Sequence, residues 1–169
     1  MQKNSLYIVL ALSISLFVYL FFRTEETVIT QLFKALISSK NYVYLKNMID
    51  NHIALPSFVI YSLPEGLWVF VATIFSKNII FEKGEFYFEA IYIPLIFAIG
   101  LEFLQLIHVT HGMFDFLDIL VSVLFWSVAN YLLNYPQEKQ NLLTFKINRE
   151  SLYFFSSYAI VYFSYVPSS

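Results

Sequence analysis

Five apolar runs set the limits on what this chain can become. They cover residues 6–22, 54–75, 86–107, 116–133 and 152–166. A helix needs about 20 apolar residues, rising roughly 1.5 Å each, to cross a bilayer's hydrocarbon. The runs meet that length to differing degrees: 6–22 is slightly short, 116–133 is near the minimum, and 152–166 is short and rich in tyrosine. Composition agrees with their length. Of the 169 residues, 59% are hydrophobic and 13% charged, about half the charged share of a soluble domain. The expectation is therefore an integral membrane protein: an all-α, polytopic membrane helix bundle of about five transmembrane helices, forming one domain over residues 1–169. The net charge of −2 offers no basic surface to nucleic acid. With no cysteine in the chain, disulfide and thiol chemistry are excluded.

The segment 23–53 is a polar excursion between the first two runs. Within it Val28, Ile29, Leu32, Phe33, Leu36 and Ile37 share a stripe, and Thr27, Thr30, Gln31, Lys34 and Ser38 take the other side. That pattern predicts an amphipathic helix, lying on the membrane surface or capping the bundle. The first run follows Lys3 and so begins like a signal peptide. It ends in Phe21, Phe22 and Arg23 with no small-residue cleavage site, which reads as a retained anchor. In "SLPEGLW", Pro64 and Glu65 fit the start of a helix, but a helix starting there is too short to span. Continuation of 54–62 through a kink at Pro64 is the expected outcome. With five spans, Lys3, Lys77, Lys83, Lys139, Lys146 and Arg149 fall on one side, and Arg23, Lys34, Lys40 and Lys46 on the other. The excess places the N-terminus in the cytoplasm.

The stretch "GLEFLQLIHVTHGMFDFLDILVS" (residues 100–122) carries polar groups where a greasy helix needs a reason for them. Glu102 and Gln105, three apart, share a helix face. His108 and His111 continue toward the helix end, which is expected to break at Gly112. Asp115 and Asp118 open the next helix, and Ser122 follows one turn on. Asp115 is explained as an N-terminal cap, and both histidines as residues near the water interface. Glu102 and Asp118 are harder to explain, because a carboxyl inside the hydrocarbon boundary is costly unless paired, protonated or wet. A short connection folds the two helices back to back, so the acids can meet and are expected to share a proton. Glu102 and Asp118 are the candidate catalytic pair; Gln105, His111, Asp115 and Ser122 are candidate binding residues. A metal on His108, His111 and Asp115 or Asp118 has acceptable ligand types, but His-Glu-x-x-His is absent. No metal or other cofactor is expected.

These residues resemble the VanZ-like family of small multi-pass bacterial membrane proteins. The family pattern has Glu-x-x-Gln near the end of one membrane helix. A short loop follows, usually with an arginine, and then Asp-x-x-Asp-hydrophobic-hydrophobic-x-Asn opens the next helix. "EFLQ" supplies Glu102 and Gln105, and "FDFLDIL" supplies Asp115 and Asp118; the likeness covers roughly residues 95–133. "SLPEGLW" is similar to a segment of some members. Two features depart from the pattern: "HVTHGM" has no arginine, and Ser122 stands in place of asparagine. The family takes its name from a protein linked to teicoplanin resistance. The resemblance implies the bacterial inner membrane and an envelope role, acting on or with a lipid-linked or glycopeptide-related molecule among membrane lipids. Two other functions stay open. One is a membrane hydrolase or transferase using the acids as general acid and base. The other is a structural or assembly subunit whose polar groups hold helices together.

Overall fold

A computed structural model of the chain describes residues 2–24, 28–109, 113–132, 139–144 and 149–165. Among these are seven α-helices: α1 (Gln2–Phe22), α2 (Val28–Ile37), α3 (Ser39–His52), α4 (Ser57–Ser76), α5 (Ile93–Leu106), α6 (Phe116–Leu132) and α7 (Arg149–Tyr165). Three short strands join them: β1 (Ile79–Lys83), β2 (Phe86–Glu89) and β3 (Gln140–Asn141). The protein is mostly helical, as expected. One helix among the described residues, α4, is long and apolar enough to cross a membrane; Leu6–Phe22, Ala90–Leu106 and Phe116–Tyr131 are apolar but shorter.

Helix α4 is the hub, packing against α1, α5, α6 and α7. Its sequence explains why. Leu67, Phe70, Val71 and Ile74 meet Ala11 of α1 and Ala129 of α6, while Trp68, Val69 and Ala72 meet Ala98 of α5 and Tyr158 of α7. Apolar side chains on two sides of one helix let it sit between neighbours. Gly66 permits the closest approach. A Cβ there would stand 2.5 Å from Val121 Cγ1 and 2.6 Å from Phe125 Cδ2, both on α6. The Trp68 indole N–H donates to Ser157 O at 2.8 Å and ties α4 to α7.

Pro64 lies inside α4, so the helix continues through it from Ser57. A proline has no N–H to give the carbonyl four residues back, here that of Ile60. Arg23, just past α1, takes up the freed group. Its Nε donates to Ile60 O at 3.5 Å, and one of its terminal nitrogens donates to Tyr61 O at 2.9 Å. The guanidinium also lies over the Tyr19 and Tyr61 rings.

The polar excursion holds a helix over the expected stripe, α2, and a second helix, α3. Ser38 separates them at φ 70°, and its side chain caps α3 by accepting from Asn41 N. The apolar stripe of α2 divides: Ile29 and Phe33 pack on the buried end of α1, whereas Leu32 is 60% and Leu36 81% exposed. Helix α3 closes the end of α1. Tyr42 donates its hydroxyl to Leu20 O at 2.6 Å and Lys46 donates to Arg23 O at 2.6 Å, satisfying carbonyls that a helix end leaves open.

The run 86–107 is not one helix, which corrects the expected span. Residues 86–89 are strand β2, Ala90–Tyr92 form a 3-10 turn, and α5 starts only at Ile93. Strands β1 and β2 pair antiparallel, with Lys83 opposite Phe86, leaving Gly84 and Glu85 as a two-residue turn. Such turns favour a positive φ in their centre, and Gly84 supplies it at φ 62°. Strand β3 adds in parallel to β1, so the segments after α4 and after α6 meet at one end of the bundle. Lys139 pairs with Glu89 there and holds its carboxyl below the usual range.

Candidate functional site

At the other end, three helices bring three carboxyl groups together. Glu65 comes from α4, Glu102 from the last turns of α5 and Asp118 from the first turn of α6. One carboxylate oxygen from each lies within 4.8 Å of the others. Glu102 is 1% exposed. Its neighbours along α5 face outward: Phe103, Leu104 and Leu106 are exposed, while Gln105 is buried beside it. The spacing of Glu102 and Gln105 therefore does put both polar groups on the inner face.

Each acid is positioned by an identifiable contact. Glu102 Oε2 accepts from Asp115 N at 2.9 Å, fastening the end of α5 to the start of α6. Ser122 Oγ donates to Glu65 Oε1 at 3.5 Å across the α4–α6 contact. Close approach at Gly66, the residue after Glu65, is what allows that distance. The Ser62 hydroxyl, one turn before Glu65, faces Asp118, and the Arg23 guanidinium lies within electrostatic reach of both Glu65 and Asp118. Asp118 Oδ1 and Ser62 Oγ are buried atoms that make no close hydrogen bond among the described residues.

The sequence-derived candidates divide. Glu102 and Asp118 meet, Ser122 joins them through Glu65, and Gln105 is buried on the same face of α5. Asp115 is exposed and acts as a cap: its Oδ1 accepts from Leu117 N at 2.8 Å and its carbonyl from Asp118 N at 3.1 Å. His108 follows the end of α5 at φ 59° and is exposed. Helix α5 therefore stops before Gly112, and the polar stripe ends at Gln105 rather than continuing through His108. His111 and Gly112 lie outside the described residues. The ligand-type cluster is the three acids, without His108, which differs from the histidine set weighed above.

Glu65, Arg23 and Ser62 are the residues that sequence reasoning missed. Glu65 had a signal, an acid in an otherwise apolar helix, which normally needs a functional or structural reason. Its proximity to Pro64 suggested a helix start instead. Arg23 had no local signal, since only the packing of α1 on α4 brings it here.

The fold and site define a mostly helical bundle with an internal acidic cluster. No family model, curated protein or solved structure matches the chain.

Proposed function

We propose that the protein is a VanZ-like integral membrane protein of the bacterial inner membrane. In this reading α1, α4, α5, α6 and α7 are the membrane helices, and α2 and α3 lie at one surface. The acidic cluster is the working site, acting on or with a lipid-linked or glycopeptide-related molecule. The observation that carries the reading is the inverted distribution of polarity. Glu102, Gln105, Ser122 and Ser62 are buried, while Leu6, Leu10 and Ile14 of α1, Ile96 and Phe103 of α5, and Leu120 and Leu124 of α6 are exposed. Soluble monomers rarely expose contiguous apolar area on this scale, and intramembrane acids face bundle interiors.

The chain path supports the same reading. β1, β2 and β3 gather near one end, and Arg23, α3 and the start of α4 gather at the other. That alternation fits five crossings. Both departures from the family pattern also acquire partners. Arg23, from the end of α1, provides a cation near the acids, and Ser122 donates to Glu65 where the pattern has asparagine.

Glu102→Gln and Asp118→Asn remove charge while keeping shape. Each is expected to reproduce the phenotype caused by deleting the protein, with the variant still inserted at normal abundance. Glu89→Gln, in strand β2 at the opposite end from the cluster, is the control and should be mild. An intact phenotype in both site variants would reject a working acid pair. Loss of abundance without any other effect would assign the acids to helix association.

A further inference from the structure

We propose that Glu65, Glu102 and Asp118 form a binding site for one hard divalent cation of the Mg2+, Mn2+ or Ca2+ class. This site stands on geometry and does not depend on the envelope role proposed above. Oxygen ligands lie about 2.1 Å from Mg2+ and about 2.3–2.6 Å from Ca2+, so ligands on opposite sides of such an ion are about 4.2–5.2 Å apart. The three carboxylate oxygens, all within 4.8 Å of one another, fall inside that spread. Carboxylate-only donor sets select hard cations over zinc or copper.

A second observation is independent of the acids. Ser62 is 1% exposed, and its Oγ makes no close hydrogen bond among the described residues. Buried helical hydroxyls commonly bond the carbonyl four residues back, and two in this same helix do: Thr73 donates to Val69 O and Ser76 to Ala72 O, each at 2.6 Å. Among the described residues Ser62 makes no such bond; its hydroxyl stands beside the Asp118 carboxyl, the one group it could donate to. It is a buried oxygen directed at the cluster with lone pairs to spare. Charge points the same way. Once an ion displaces any shared proton, three carboxylates and the nearby Arg23 guanidinium leave two negative charges, which one divalent ion balances. The helices supply three or four ligands, and water or an anionic oxygen of a bound molecule completes the shell.

The test is Mn2+ binding to the purified full-length protein in detergent, stripped with chelator, followed by the loss of the free-ion electron paramagnetic resonance signal. One Mn2+ per chain is expected, displaced by Mg2+ or Ca2+. Glu65→Gln, Glu102→Gln and Asp118→Asn should each weaken binding about tenfold or more, the scale on which even supporting residues affect metal affinity. Glu89→Gln should leave it unchanged. No stoichiometric binding by the native chain, or undiminished binding in the three variants, would overturn the site. Should the three variants fail to fold, Glu65→Asp and Ser62→Ala take their place. Weaker binding in either supports the site, and native affinity in both overturns it.

Discussion

Gly66→Ala lowers the stability of the purified protein, although helix propensity alone argues for the reverse. Alanine in a helix interior is favoured over glycine by about 1 kcal/mol. Here the added methyl lands 2.5 Å from Val121 Cγ1 and 2.6 Å from Phe125 Cδ2. Overpacking of this kind costs about 1–3 kcal/mol, and sometimes more, so the steric effect wins. Gly66→Val enlarges the clash and is expected to abolish assembly, because a typical domain has only about 5–15 kcal/mol to lose. The partner is named by the contact. Val121→Ala should partly restore Gly66→Ala, and the two changes should be non-additive, as touching residues are. Restoration remains partial because Phe125 still obstructs. Thermal unfolding of the four proteins in one detergent measures this. Additive effects would mean that α4 and α6 do not meet at Gly66.

Arg23→Ala has the second largest expected effect. The side chain serves the Ile60 and Tyr61 carbonyls at the proline break and stands near Glu65 and Asp118. Hydrogen bonds involving a charged group contribute about 1.5–3 kcal/mol; with the guanidinium partly open to solvent, roughly 1–3 kcal/mol is expected here. Arg23→Lys should fall between alanine and the native residue. It keeps the charge but not the planar fork that serves two carbonyls together. Pro64→Ala returns an N–H to the helix and lets Ile60 be satisfied within it. Arg23→Ala should therefore cost less in that background. Equal cost in both backgrounds would show that Arg23 does not act through the proline break.

The extent to which all this can be read from sequence follows from the range of each interaction. The helical runs carry their own signal, since length and apolar content act locally; α1, α4, α6 and α7 lie where the runs predict. Run 86–107 misled because "FYFE" is as apolar as a span. The turn signal lay just ahead, in the Gly84 of "EKGEF", between two short runs rich in isoleucine and aromatic residues. Within 23–53 the stripe of residues 28–37 marked α2, whereas α3, capped at Ser38, continues no such stripe and was not anticipated. At the site, Glu102, Gln105, Asp118 and Ser122 were legible because two adjacent helices joined by a short loop must lie side by side. Glu65 reaches them through the Gly66 contact and Arg23 through the α1–α4 contact, and neither contact is written in local spacing. The amphipathic surface placement of Leu32 and Leu36, outward in the fold, belongs with the membrane reading proposed above.

The central claim is that acids from separate helices converge inside the bundle, and cross-linking of Glu65→Cys with Asp118→Cys in cells tests it most directly. The chain has no cysteine of its own, so the only thiols are those introduced. Glu89→Cys with Lys139→Cys, whose native side chains form an ion pair, serves as the reference. With a short thiol-bridging reagent, both pairs should cross-link, and single-cysteine chains should not. A reference pair that links while the 65/118 pair stays open would contradict the convergence, and with it the account of the site.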